Sequence, residues 1–302
     1  MNLYVGCPIW AFKGWVGDFY PKGTKSGDFL FEYARRLTTV EGNTTFYAVP
    51  AEKTLQQWAA ETPETFRFCP KLPRTISHAG KLVEHIAEAL RFVEVMSVLG
   101  ARLGPMFLQL PPSYPPGMFD DLRAFLQDWP DDVPLAVEVR HMGWFGSPHH
   151  ATLNGLLSSH RMARVVIDTR PIRSLQGDKI LEGSVYKRLL EARQRKPDVP
   201  ILPEQSEHSE HSEPAASFFF LRYIGHPQYE INEPILDEWV SYLTSWLRKG
   251  EREAYVFCHC PDERLDPWLC RAFYRRMAEN LPLPPLPWDE IDMDTPQQER
   301  LF

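Results

Sequence analysis

No stretch of this chain approaches the ~18 consecutive apolar residues that a membrane-spanning helix needs. No membrane association is expected on that ground. Cysteine is scarce, with five at irregular positions, and such spacing suggests no disulfide framework. The opening MNLYVGCPIW lacks the basic-then-apolar pattern of a signal peptide. A reducing, cytoplasmic location is therefore expected. Basic surplus is missing as well: a net charge of −7 argues against strong nucleic-acid binding driven by phosphate neutralisation.

Several catalytic signatures are also absent. There is no HExxH, no CxxC pair and no GxSxG elbow, and the first strand–helix junction carries neither GxGxxG nor a phosphate-loop lysine. Cys258-His259-Cys260 offers zinc-type ligands, but neighbouring strand residues point to opposite faces. No metal site is expected, and no motif names a cofactor. Hydrophobic content of 43% and charged content of 24% are those of a soluble globular protein. A length of 302 residues allows one large barrel or two ordinary domains.

What is present is a repeated pattern. In PLAVEVRHMGW (134–144), Leu135, Val137 and Val139 share one parity, while Ala136, Glu138 and Arg140 share the other. A strand sends these sets to opposite faces, leaving a carboxylate and a guanidinium at its end. Further apolar runs lie at 3–7, 38–43, 65–71, 105–110, 163–168, 217–223 and 254–260. Helical periodicity fills the intervals at 28–37, 53–61, 82–99, 119–129, 150–160 and 234–249, with a last helix from about 266 to 279. Eight strands alternating with helices predict a (β/α)8 TIM-like barrel over residues 1–280. An insertion is expected after strand six, at about 171–214. It contains a charged helix over 185–195 and the low-complexity run EQSEHSEHSE (204–213). Residues 281–302 read as an extended, Pro-rich tail.

The predicted strand ends carry Glu41 and Asn43, Lys71, Gln109, Glu138 and Arg140, Asp168, Arg222 and His259, with His78 and His141 near the rim. Barrel active sites draw on this C-terminal face. Glu41 and Glu138 are candidates for an acid–base pair, with Lys71 and Asp168 as further catalytic candidates. Arg140 and Arg222 suit a carboxylate or phosphate. Mutual neutralisation of Glu138 by Arg140, and of Lys71 by Asp168, is the competing reading. The leading expectation is an enzyme acting on a small polar, anionic substrate; hydrolase, lyase and isomerase chemistry all stay open. The alternatives are a metal-dependent nuclease or sugar-isomerase-like barrel, and a non-catalytic module of DNA maintenance.

The stretches GCPIW (6–10), FYP (19–21), VEGNTTFY (40–47), FRFCPK (66–71), ISH (76–78), LGP…QLPP (103–112) and AVEVRHMGW (136–144) together resemble the DUF72, or YecE-like, family. That resemblance implies a TIM-like barrel with Glu41, Asn43, Tyr47, Lys71, His78, Gln109, Glu138, Arg140 and Trp144 as cleft residues. Trp10, at the end of GCPIW, joins the candidate binding residues. The resemblance carries no established reaction. Two motifs depart from it: Arg222-Tyr223-Ile224-Gly225 stands where members read Arg-x-His-Gly, and Phe257-Cys258-His259 replaces Phe-Asn-Asn. Separately, Gln298-Glu299-Arg300-Leu301-Phe302 resembles the Q-x-x-L-F peptides that bacterial proteins dock on the replication sliding clamp. Gln298, Leu301 and Phe302 would make that contact.

Overall fold

The computed structural model describes residues 1–176, 178–201, 216, 218–250 and 252–294. The His-rich run at 204–213 and the clamp-like terminus at 298–302 lie outside the described residues. Among the described residues there are eight parallel strands: β1 Asn2–Gly6, β2 Thr39–Gly42, β3 Arg67–Pro70, β4 Met106–Gln109, β5 Leu135–Glu138, β6 Ala163–Asp168, β7 Phe218–Ile224 and β8 Glu253–His259. Six form a sheet in the order β1-β8-β7-β6-β5-β4, and β2 pairs with β3 in a second.

The regular ladders stop at two seams, and the strand set is a mixed α/β fold with parallel sheets. At the first seam Thr38 N–H donates to the Val5 carbonyl at 3.2 Å, and Glu41 N–H to that of Cys7 at 3.1 Å. At the second, Gly104 N–H reaches the Phe68 carbonyl at 2.8 Å and Leu72 N–H that of Phe107 at 3.0 Å. Gly6 permits the first approach, because a Cβ there would sit 1.9 Å from the Thr39 carbonyl oxygen.

The helices are α1 Phe29–Ala34, α2 Glu52–Glu61, α3 Arg74–Ser77, α4 Ile86–Met96, α5 Phe119–Gln127 and α6 His149–Ser159. They continue as α7 Arg170–Arg173, α8 Gly183–Arg195, α9 Tyr229–Leu247, α10 Asp266–Ala278 and α11 Pro287–Asp294. Helix α5 shows why they dock: Leu122, Phe125 and Leu126 fall at helical spacing and are fully buried. Each such side chain contributes about 1.5–3 kcal/mol of transfer free energy. No helix among the described residues is long and apolar enough to cross a membrane.

Two departures from expectation are local. The helix predicted over 82–99 is divided into a 3-10 turn Leu82–His85, α4, and a 3-10 stretch Ser97–Arg102 containing Gly100 at φ 56°. Residues 281–294, part of the segment expected to be extended, instead pack on the fold through α11. There Leu281, Leu286 and Trp288 are buried, and Asp289 accepts from Arg271 and Arg275. Its apolar residues find a site beside Phe19, whose ring lies 4.9 Å from that of Trp288.

Strand parity sorts the core into layers. Leu135, Val137 and Val139 join the larger cluster beneath the helices. Ala136 joins Phe107, Phe218, Phe220, Tyr255 and Phe257 in an inner cluster. Just beyond the inner cluster, at the strand C-termini, the polar residues converge.

Candidate functional site

Residues paired in a parallel ladder share a face, so register decides who meets whom. Gln109 pairs with Glu138, Glu41 with Cys69, and Arg222 with Phe257. Cys69 and Phe257 belong to the inner cluster, so Glu41 and Arg222 point inward above them. The VEGNTTFY turn fixes β2 against Lys71: the Thr45 hydroxyl sits 2.7 Å from the Gly42 carbonyl and 2.6 Å from that of Lys71.

The result is one connected network. Arg222 donates from Nε and Nη2 to both Glu41 oxygens at 2.8 and 2.7 Å, and from Nη1 to Glu138 Oε2 at 2.6 Å. Glu138 Oε1 accepts from Arg140 Nε at 2.5 Å. Arg140 Nη2 donates to Gln109 Oε1 at 2.7 Å, and Lys71 Nζ to the same oxygen at 2.8 Å. On the far side, Asn43 Nδ2 donates to Glu41 Oε1 at 2.6 Å. His259 Nε2 lies 2.9 Å from Glu41 Oε2; a carboxylate only accepts, so Nε2 carries the proton there.

Burial alone would raise the Glu41 carboxyl, but Arg222 and then His259 outweigh it and hold it well below the usual range. Burial likewise opposes the shift at Glu138, which Arg140, Arg222 and Lys71 bring down to about 2. Both are fixed anions. Lys71 behaves differently: burial first, and then the charge of Arg222, lower its ammonium to about 7. Burial, then Lys71 and Arg140, bring His78 down to about 4. His259 also falls to about 4, through burial and Lys196, against the pull of Glu41.

The network floors a cavity of about 610 Å³, a size suited to a small ligand. Lys71, Arg74, Arg140, Arg188, Arg195, Lys196 and Arg222 line it, against the carboxylates Glu191, Glu263 and Asp266. Asn43, Tyr47, His78, Gln109 and His259 complete much of the wall, with Tyr47 81% exposed at the rim. Among the described residues no group of three or more His, Cys, Asp or Glu could hold a metal ion.

The family described as "Protein of unknown function DUF72" matches residues 4–290. The chain belongs to the DUF72 family. It is 31% identical over 281 residues to the UPF0759 protein YecE of Escherichia coli K12, covering 93% of this chain and 94% of that one. The UPF0759 protein YunF of Bacillus subtilis is 24% identical over 267 residues, covering 84% of this chain and 87% of its own. A DUF72 family protein of Thermotoga maritima superposes with a TM-score of 0.63 at 20% identity, over 92% of this chain and all (100%) of that one. One from Enterococcus faecalis gives a TM-score of 0.61 at 15% identity, over 94% and 96%. These structures share the DUF72 fold.

Six of the sequence candidates do not line the DUF72 cavity: Glu41 and Glu138 lie fully buried in the network beneath it, and four others face elsewhere. Asp168 pairs with Tyr223 in register, and Tyr223 belongs to the helix-side cluster. Its carboxylate therefore turns outward, accepting from Arg170 Nη2 at 2.8 Å and Trp239 Nε1 at 2.7 Å. The inward residue of β6 is the apolar Ile167, opposite Arg222. Lys71 is accordingly not neutralised by Asp168. Trp144 is fully buried, donating Nε1–H to the Tyr114 carbonyl at 2.9 Å. Trp10 packs edge-on to Trp58, with ring centres 4.9 Å apart. His141 accepts the Gly143 amide at 3.0 Å and caps a turn.

Of the cavity residues that escaped the sequence reading, two have strongly altered chemistry. Lys196 follows the end of α8 and carries no strand signal; burial of its ammonium, then Arg222, lowers it to about 8, although the residue keeps some surface. Asp266 opens α10 fully buried, with no hydrogen-bond partner for either oxygen. The Cys260 amide favours its anion a little from outside hydrogen-bond geometry. Burial and then Cys270 dominate and raise the carboxyl well above its usual value. An Asp before Pro267 at a helix start reads as an ordinary first-turn acid, which hid it.

Proposed function

We propose that the chain is an enzyme that binds a small anion where the strand C-termini converge and moves a proton there by general acid–base catalysis. We also infer that the eight strands close into a (β/α)8 barrel, a reading supported by the hydrogen bonds across both seams. The observation that carries the functional reading is Lys71. It is 6% exposed and brought to about 7, with Gln109 as its polar partner. An amine so placed exchanges a proton near neutral pH, where proton transfer is most effective. Asp266, whose carboxyl burial and then Cys270 raise well above its usual range, supplies the opposite role of acid. Glu41 and Glu138 then act as anchors for Arg222 and Arg140 instead of titrating themselves. The cationic lining favours a carboxylate or phosphate group on the substrate, and hydrolase, lyase and isomerase reactions each fit that requirement.

Calorimetric titration with inorganic phosphate at pH 7 tests the reading. Saturable binding at one site is expected, weakened about tenfold or more in Arg140→Gln, as for loss of a charged hydrogen bond. Absence of binding by phosphate, and by a panel of small carboxylates and phosphate monoesters, would overturn it.

A further inference from the structure

We propose that Lys71 is a carbonyl nucleophile, taking an anionic aldehyde or ketone (an oxo acid or oxo phosphate) as an imine within the cavity. This rests on the reading of the cavity as an enzyme site for small anions, and it adds the covalent step and the second functional group of the substrate. Three features separate Lys71 from an ordinary structural lysine.

No carboxylate of the described residues forms a salt bridge with it, so its nitrogen is not tied to a counter-ion. Its hydrogen bond goes to Gln109 Oε1 at 2.8 Å, an oxygen that also takes Arg140 Nη2 at 2.7 Å. The carboxamide thereby places the amine and a guanidinium side by side, the spacing a molecule with adjacent carbonyl and anionic groups requires. The Phe46 ring lies 4.1 Å from Nζ, and that of Phe107 5.8 Å. Aromatic faces exclude water from the nitrogen and favour a cation above them. Both effects help an iminium accumulate: dehydration is assisted, and the product is itself a cation. The lowered basicity of Lys71 leaves about half of it unprotonated at pH 7, against roughly one part in a thousand or less for an ordinary lysine.

The step balances as follows. The amine nitrogen bonds to the carbonyl carbon and the carbon–oxygen bond breaks. The oxygen leaves as water, carrying one amine proton and one proton from solvent. The nitrogen keeps its other proton and the positive charge. An iminium beside a cationic wall withdraws electrons from the neighbouring carbon, which suits lyase or isomerase chemistry on a substrate held by its anionic end.

Reductive trapping tests this. The full-length protein is incubated at pH 7 with sodium cyanoborohydride and either pyruvate or dihydroxyacetone phosphate, then mapped by peptide mass spectrometry. The expected result, with at least one probe, is a reduced adduct at Lys71 at least about tenfold above that at the exposed Lys53 and Lys81. The adduct should be lost in Lys71→Arg while circular dichroism shows an intact fold. The melting temperature is followed in parallel with each probe alone. A ligand-induced rise without a Lys71 adduct overturns the nucleophile and leaves the anion site standing. Neither a rise nor an adduct overturns both readings.

Discussion

The ends of β5 and β6 carry the same local motif with opposite outcomes. Each ends in a fully buried carboxylate followed two residues later by an arginine: Glu138 with Arg140, and Asp168 with Arg170. The bonds are alike too, at 2.5 and 2.8 Å. Yet Glu138 shares parity with Ala136 of the inner cluster, whereas Asp168 shares it with Val166 beneath the helices. One pair therefore helps to build the cavity floor, and the other fastens α7 and Trp239 of α9 to the sheet. An acid and an arginine two apart at a strand end identify a buried ion pair. Which side of the sheet it serves depends on a one-residue offset.

The sharpest way to break the comparison is Arg222→Met, because Arg222 joins Glu41 and Glu138 while no equivalent cation links Asp168 across the interior. Leaving two buried carboxylates without it should destabilise the fold by about 3–5 kcal/mol or more, read from urea unfolding. A smaller loss would mean that water or Lys71 compensates.

Acid should act on the β5 end next. Glu138 lies at about 2 in the fold, below its unfolded value. Its contribution is complete above the unfolded value and disappears as pH falls from roughly 4.5 through about 2, a loss on the order of 3 kcal/mol. Glu138→Gln should reduce that acid-induced loss, measured as stability against pH. Lys71 acts at the other limb. Being lowered to about 7, it binds fewer protons than the unfolded chain between about 7 and 10, so its contribution to stability rises with pH there. Lys71→Met should remove that rise.

The smallest effect is expected at the other end of the comparison. Asp168→Asn keeps an acceptor for Trp239 but loses the charge beside the partly exposed Arg170, and should cost about 1–2 kcal/mol. Phosphate affinity should stay within twofold of the parent, because Asp168 does not line the cavity. An Asp168→Asn protein that loses phosphate binding at unchanged stability would show that the β6 end communicates with the cavity.

Much of the site was legible from alternation alone. Glu41, Gln109, Glu138, Arg222 and His259 all stand at strand ends in inward parity, and the structure joins them with Lys71 and Arg140 into one network. Asp168 was misread because in ARVVID the charged set Arg164 and Asp168 shares one parity with Val166, against the apolar Ala163, Val165 and Ile167, and it is the apolar set that turns inward in the fold. Lys196 and Asp266 were illegible because neither belongs to a strand; they reach the cavity from a helix end and a helix start. Trp10, His141 and Trp144 have the composition of a binding surface, but their ring edges and polar atoms are occupied by Trp58, the Gly143 amide and the Tyr114 carbonyl.

Alternation of apolar runs and helical patterns by itself determined the order of eight strands, the helices between them and the end at which charge gathers. Those features depend on near-neighbour periodicity, which the chain carries locally. Only the tertiary structure decided that the two candidate catalytic glutamates are held as anions while the lysine of the same network is lowered to about 7. That outcome is set by who lies across the interior: Arg222 reaches Glu41 from 181 residues away. Coulombic pairing and loss of water depend on such distances through space, which spacing along the chain does not encode.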